Sequence, residues 1–87
     1  MRVAITGSSG FIGTNLMLHF AKHEPDTELV LIDIAPPQAL MPSNAKFVYA
    51  DIRNLKTMID AFQGCEEVYH LAGILGASDL TAVSSPA

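Results

Sequence analysis

Tryptophan is absent from this 87-residue chain, and cysteine occurs once. A lone thiol, Cys65, closes no internal disulfide, so the fold must hold by packing, and such usage suits a reducing compartment. Basic residues are scarce: five Lys and Arg stand against nine Asp and Glu, a formal net charge of −4. That balance argues against a nucleic-acid partner, whose phosphates a binder would have to neutralise with a basic face. Long apolar runs are missing too. The longest aliphatic stretch is Leu29–Ile32, against the roughly 20 residues of a membrane helix and the about 7–15 of a signal-peptide core. No membrane partner is expected, and a cytoplasmic location is.

What remains is a globular composition. Apolar residues make up 49% of the chain and charged residues 16%, which is too apolar and too weakly charged for a disordered segment. One small domain is expected, with a thin core, since chains of this size bury only about 60% of their unfolded surface. Apolar periodicity alternates along the chain. Val3-Ala4-Ile5 is a short strand-like run closed by the turn-rich cluster Thr6-Gly7-Ser8-Ser9-Gly10. Phe11, Ile12, Leu16, Phe20 and Ala21 then recur at helical steps, which predicts a helix with those residues on one face, stopped by Pro25-Asp26. Leu29–Ile32 reads as a strand covered on both faces. Pro36, Pro37 and Pro42 exclude regular structure from the connection that follows. Phe47–Ala50 is a third strand. Leu55, Met58, Ile59 and Phe62 share one face of a second helix, between Asn54 as N-cap and Gly64 as stop. Val68–Leu71 is a fourth strand ending at Ala72-Gly73, and a last short helix is expected over Ser78–Val83. No internal repeat is visible. This order calls for an α/β fold with a parallel sheet and right-handed crossovers.

The segment that carries chemistry is Gly7-Ser8-Ser9-Gly10-Phe11-Ile12-Gly13, lying between a strand and a helix. Gly7 allows a sharp turn, Gly10 lets backbone approach a pyrophosphate, and Gly13 lets the helix pack closely against the sheet. The N–H groups opening the helix then face the phosphates, helped by the helix dipole. Asp33 ends the second strand, where a dinucleotide fold places the acid that takes the adenosine ribose hydroxyls. It also predicts NAD over NADP: a 2′-phosphate beside that carboxylate is repelled by on the order of 1–4 kcal/mol, depending on the local dielectric. No Lys or Arg lies in the glycine loop or just after Asp33 to offset the repulsion. The competing readings are a plain turn and a plain strand-end acid.

Other residues carry less. His19 and His23 are one helical turn apart, but Phe20 stands where a metalloprotease helix has Glu, so they read as a solvated face and no metal site is expected. His70 reads as a hydrogen-bonded structural histidine. Cys65 has no adjacent basic residue to activate it, and Glu66-Glu67 is a solvated acid pair. Ser78, Ser84 and Ser85 lack His and Asp partners for hydrolase chemistry.

Four pieces in order resemble the extended short-chain dehydrogenase/reductases, which include nucleotide-sugar epimerases and dehydratases. Thr6-Gly7-Ser8-Ser9-Gly10-Phe11-Ile12-Gly13 resembles that family's T-G-x-x-G-F-I-G loop, and Asp33 its ribose acid. Asp51-Ile52 resembles the pair that contacts adenine, and His70-Leu71-Ala72-Gly73 the H-L-A-[AG] segment that supports the sheet and lines the cofactor. The resemblance implies an NAD site made by Gly7, Ser9, Gly10, Phe11, Ile12, Gly13, Asp33, Asp51, Ile52, Leu71, Ala72 and Gly73. It implies a partial Rossmann-type sheet of strand order 3-2-1-4, about half of a doubly wound fold. Residues 1–73 would be the N-terminal part of the NAD-binding domain, and residues 74–87 a cofactor-lining loop and a truncated tail.

The family's chemistry rests on a Tyr-x-x-x-Lys pair. Here Tyr49 is followed four residues on by Arg53, and Tyr69 by Gly73. No catalytic residue is therefore assigned, and the chain alone is expected to be inactive, its nucleotide-sugar substrate belonging to a longer parent. Two alternatives stay open: a self-standing NAD-binding regulatory module, dimerised to cover the fourth-strand edge, or an inert remnant.

Overall fold

The structure, a computed structural model, describes residues 1–72; Gly73 and the helix expected over Ser78–Val83 lie outside the described residues. The elements follow the expected order: β1 (Arg2–Thr6), α1 (Phe11–His23), β2 (Glu28–Asp33), β3 (Ala45–Tyr49), α2 (Leu55–Ala61) and β4 (Glu67–His70). The four strands form one parallel sheet in the order β3-β2-β1-β4.

Alternation along the central strands divides the core in two. Val3, Ile5, Leu29 and Leu31 face α1 and pack with Met17 and Phe20. Ala4, Val30 and Ile32 face the other way and pack with Ala50 and Met58 of the α2 side. Both faces of β1 and β2 are covered, so neither strand needs polar alternation. Each fully buried aliphatic side chain contributes about 1.5–3 kcal/mol. The sheet order reverses direction at β1, so right-handed crossovers put α1 and α2 on opposite faces.

The proline-bearing connection between β2 and β3 has no regular structure, as Pro36, Pro37 and Pro42 require. It nevertheless does part of a helix's work, because Ala39 and Met41 pack against the α1-side core. Asn44 ties its end down by donating its side-chain amide to the Pro25 carbonyl at 2.7 Å and to that of Thr27.

The helix faces differ from the sequence expectation. In α1 the buried residues are Gly13, Met17 and Phe20, while Phe11 is 84% and Ile12 52% exposed. Gly13 sits against the backbone of Gly7 and Ser8, so the first turn of α1 rests on the glycine loop. In α2 only Met58 is buried; Leu55 and Ile59 are exposed. The Asn54 cap is as expected, its side chain accepting from Thr57 N–H at 3.1 Å. Every residue of β4 is exposed.

Candidate cofactor cleft

Parallel register brings the carboxyl ends of the strands to one edge: Thr6 lies beside Ile32 and His70, and Asp33 beside Tyr49. There the chain leaves each strand and a cleft of about 620 Å³ opens, lined by Gly7, Gly10, Asp33, Asp51, Ile52, Arg53, Leu71 and Ala72 among others. Ligands of open α/β sheets bind at this edge, where the strand order reverses.

The glycine loop is built by steric exclusion. Gly7 has φ +71°, and a Cβ there would stand 2.7 Å from the Ala72 nitrogen and 2.9 Å from the Leu71 carbonyl carbon. Only glycine satisfies both constraints. A Cβ on Gly13 would meet Ser8 Cα at 2.6 Å and the Gly7 carbonyl closer still. Its role is thus to let helix meet loop, a correction to the expected packing against the sheet. Gly10 would meet nothing closer than the Gly7 carbonyl oxygen at 3.5 Å, so protein packing leaves its Cβ position open beside the cleft.

Gly10 is also the N-cap of α1, with no side-chain acceptor at the helix end and no acid in the first turn. The first intrahelical bond runs from Thr14 N–H to the Gly10 carbonyl at 2.9 Å. The N–H groups of Phe11, Ile12 and Gly13 therefore have no acceptor within the helix. That end of the helix carries the positive pole of its dipole, a setting that favours negative charge.

Asp33 contributes a carboxylate to the same cleft. It accepts from Ser9 N–H at 2.9 Å through one oxygen, and from Ile34 and Ala35 N–H at 2.7 and 3.1 Å through the other. Asp51 is held differently. Arg53 grips it with Nε and Nη2, the shortest contact being 2.7 Å, and its own N–H adds another bond at 2.9 Å. These hydrogen bonds hold the Asp51 carboxyl down at about 2, and the carboxylate in turn raises Arg53. Arg53 is a cleft residue that local sequence reading left out. Its only signal was the i, i+2 spacing from an acid at a strand end.

The last wall comes from the end of β4. The buried Thr6 hydroxyl lies 2.8 Å from His70 Nδ1 and accepts from Ala72 N–H at 3.1 Å, which pins Leu71 and Ala72 over Gly7. His70 is thus hydrogen-bonded, as expected. Ser9, Phe11, Ile12 and Gly13 do not line the cleft with side chains. Ser9 is buried behind Asp33, and Phe11 and Ile12 turn their side chains to solvent, so any contribution they make is through backbone. Gly73 lies outside the described residues. Cys65 is half-buried, and desolvation raises its thiol, against a reactive role. No cluster of three metal-ligating side chains occurs among the described residues, and none of their helices is long and apolar enough to cross a membrane.

A profile of the NAD dependent epimerase/dehydratase family matches residues 3–86. The chain belongs to that family. Within this epimerase/dehydratase family, similarity extends to human short-chain dehydrogenase/reductase family 42E member 1, 35% identical over 82 residues. That match covers 90% of this chain and 20% of the human protein. An uncharacterised Mycobacterium tuberculosis protein is 32% identical over 89 residues, 91% of this chain and 9% of its own length. Among solved structures, a uronate dehydrogenase variant from Agrobacterium tumefaciens complexed with NAD superposes with TM-score 0.68 at 27% identity, over 80% of this chain and 25% of that one. A dTDP-glucose 4,6-dehydratase from Bacillus anthracis, also in complex with NAD, shares the fold with TM-score 0.72 at 18% identity, over 83% and 26% of the two chains. The chain therefore spans about a fifth of the human relative's length and a quarter of the uronate dehydrogenase's.

Proposed function

We propose that this chain is the NAD-binding N-terminal portion of an extended short-chain dehydrogenase/reductase of the nucleotide-sugar epimerase or dehydratase kind. One observation carries the reading: a single cleft holds the Gly7 and Gly10 backbone, Gly10 being the N-cap of α1, together with the Asp33 carboxylate. The open Cβ position at Gly10 and the unpaired first-turn N–H groups fit a pyrophosphate; Asp33 fits a ribose diol. Asp51 and Ile52 would bound the adenine, and Leu71, Ala72 and Gly73 would line the dinucleotide. When bound, NAD supplies a hydride acceptor. The chain's own part is to hold the phosphates on the helix end and to orient the adenosine through Asp33.

In this reading residues 1–73 are the front of the cofactor domain and residues 74–87 a lining loop and tail. Neither tyrosine is followed by Lys at the fourth position, so the isolated chain turns over no nucleotide sugar. Titration calorimetry on the 87-residue chain tests the first half of the proposal: NAD binds, NADP binds more weakly, and Asp33→Ser narrows the gap. Failure to bind NAD overturns it. Epimerisation, dehydration or hydride transfer with a nucleotide sugar by the pure chain would overturn the second half.

One observation favours a second reading, a self-standing NAD-binding module. All four residues of β4 are exposed on an edge of the sheet, and a second copy pairing there would cover them. A concentration-dependent dimer in analytical ultracentrifugation supports that module; a monomer at every concentration counts against it.

A further inference from the structure

The glycine loop and the connection after β2 are tied together more tightly than either the turn or the sheet requires. Ser9 is 3% exposed, and it spends all three of its polar groups on one short segment. Its N–H donates to Asp33 Oδ2 at 2.9 Å, its hydroxyl donates to the Ala35 carbonyl at 2.7 Å, and its carbonyl accepts from Gln38 Nε2 at 2.6 Å. Gln38 is an exposed residue whose long side chain reaches back across the loop. Ordering a side chain with that many rotamers is costly, so the bond marks a position whose geometry matters.

The beneficiary is Asp33. With Ile34 and Ala35 N–H on one oxygen and Ser9 N–H on the other, three of about four strong acceptor sites on the carboxylate are filled. The group cannot turn without breaking backbone bonds. What acceptor capacity remains belongs to an oxygen whose direction is set by where the Ser8–Ser9 peptide lies, and Gln38 holds the next peptide unit through the Ser9 carbonyl. The connection itself has no Lys or Arg from Ile34 to Asn44. Arg53, the cation lining the cleft, is engaged by Asp51. A hydroxyl can donate to the remaining acceptor site; a phosphate can only meet it with like charge.

We infer that Gln38, acting through Ser9, is a positioning residue for Asp33 and so sets how the chain reads the 2′ position of the adenosine ribose. The inference rests on the NAD-binding reading and adds to it the residue that makes the discrimination sharp. Gln38 touches no cofactor atom itself. Its removal loosens Ser9, weakens the hold on Asp33 Oδ2, and blunts the preference for a 2′-hydroxyl over both its absence and its phosphorylation.

The test uses the full 87-residue chain with NAD, NADP and 2′-deoxy-NAD as probes, and compares wild type with Gln38→Met, which keeps the bulk, and Gln38→Ala. Thermal unfolding of each variant reports the fold. In wild type, loss of the 2′-hydroxyl is expected to weaken binding about tenfold, as for a hydrogen bond to a charged group. In both variants that ratio falls to about threefold or less, and the Ser9 amide exchanges with solvent faster. A purely structural role would lower affinity for NAD and 2′-deoxy-NAD alike and leave the ratio untouched; that result overturns the inference while the cofactor reading stands. If wild type binds none of the three, the cofactor reading fails and takes this inference with it.

Discussion

β1 and β4 are neighbours in one sheet and read alike as sequence, yet they live in opposite environments. Val3, Ala4 and Ile5 are completely buried, whereas Val68 and Tyr69 remain 44% and 38% exposed. The difference is in what surrounds the strands. β1 has a hydrogen-bonded strand on each side and is covered on both faces; among the described residues β4 has one partner strand and lies at the edge of the sheet. Apolar sequence states a demand for cover, and topology decides whether it is met. Tyr69 meets the Phe20 ring in an edge-on contact with centroids 5.8 Å apart.

The sharpest way to break this contrast is to remove the same kind of side chain from each strand. Ile5→Ala is expected to cost about 2–5 kcal/mol in urea unfolding, the range for a fully enclosed aliphatic. Val68→Ala should cost less than about 1 kcal/mol, because solvent already reaches that side chain. Equal losses would mean that β4 is covered in solution, by a second copy or by residues beyond Ala72.

Next in size is Gly13→Ala. The new methyl group would press on the Ser8 backbone at 2.6 Å, and overpacking of this sort costs about 1–3 kcal/mol. The same change should abolish NAD binding, since the loop must shift. Gly10→Ala, whose methyl meets only an ordinary contact at 3.5 Å, should leave stability nearly intact while weakening NAD. A pair of unfolding curves and two calorimetric titrations separate a glycine needed for packing from one that the proposed site needs for its ligand.

Asn54→Ala removes the cap of the short α2 and should destabilise the chain by about 1 kcal/mol. The smallest effect concerns Asp51. Arg53 lowers its pKa from the ordinary 3.8 to about 2. A depressed folded-state value contributes stability that is present above the unfolded pKa and lost as pH falls through the folded one. Wild type and Asp51→Asn should therefore differ by a constant amount near neutrality, and the difference should disappear between about pH 4 and pH 2 in acid unfolding. Parallel curves through that window would show that the pair does not form in solution.

The sheet order, the glycine loop, Asp33 and the Asn54 cap were legible because each follows from a local rule: period, φ, strand-end position, side-chain acceptor. The inward face of α1 was not. Phe11 and Ile12 have the right spacing, but the helix begins over a loop, and the side chains that reach the core come a turn later, at Met17 and Phe20. Nor could local rules show that Gly13 serves the loop, or that Arg53 and Gln38 would fold back on Asp51 and Ser9. Those contacts join residues whose meeting depends on the finished turn geometry, and an exposed glutamine in a proline-rich stretch looks the same whether or not it has found a carbonyl.

The Thr6 hydroxyl has a consequence for proton placement in the wall of the cleft. It is fully buried and receives the Ala72 N–H, so its single proton is free to go elsewhere, and His70 Nδ1 is the acceptor in reach among the described residues. In a neutral ring whose Nδ1 accepts from that hydroxyl, the ring proton sits on Nε2. In that tautomer the bonds run one way, amide to hydroxyl to imidazole, and each polarises the next. Thr6→Ser preserves that direction and Thr6→Val erases it, leaving the Ala72 amide without its acceptor. Nitrogen chemical shifts of the His70 ring would read the direction of the relay without any ligand bound.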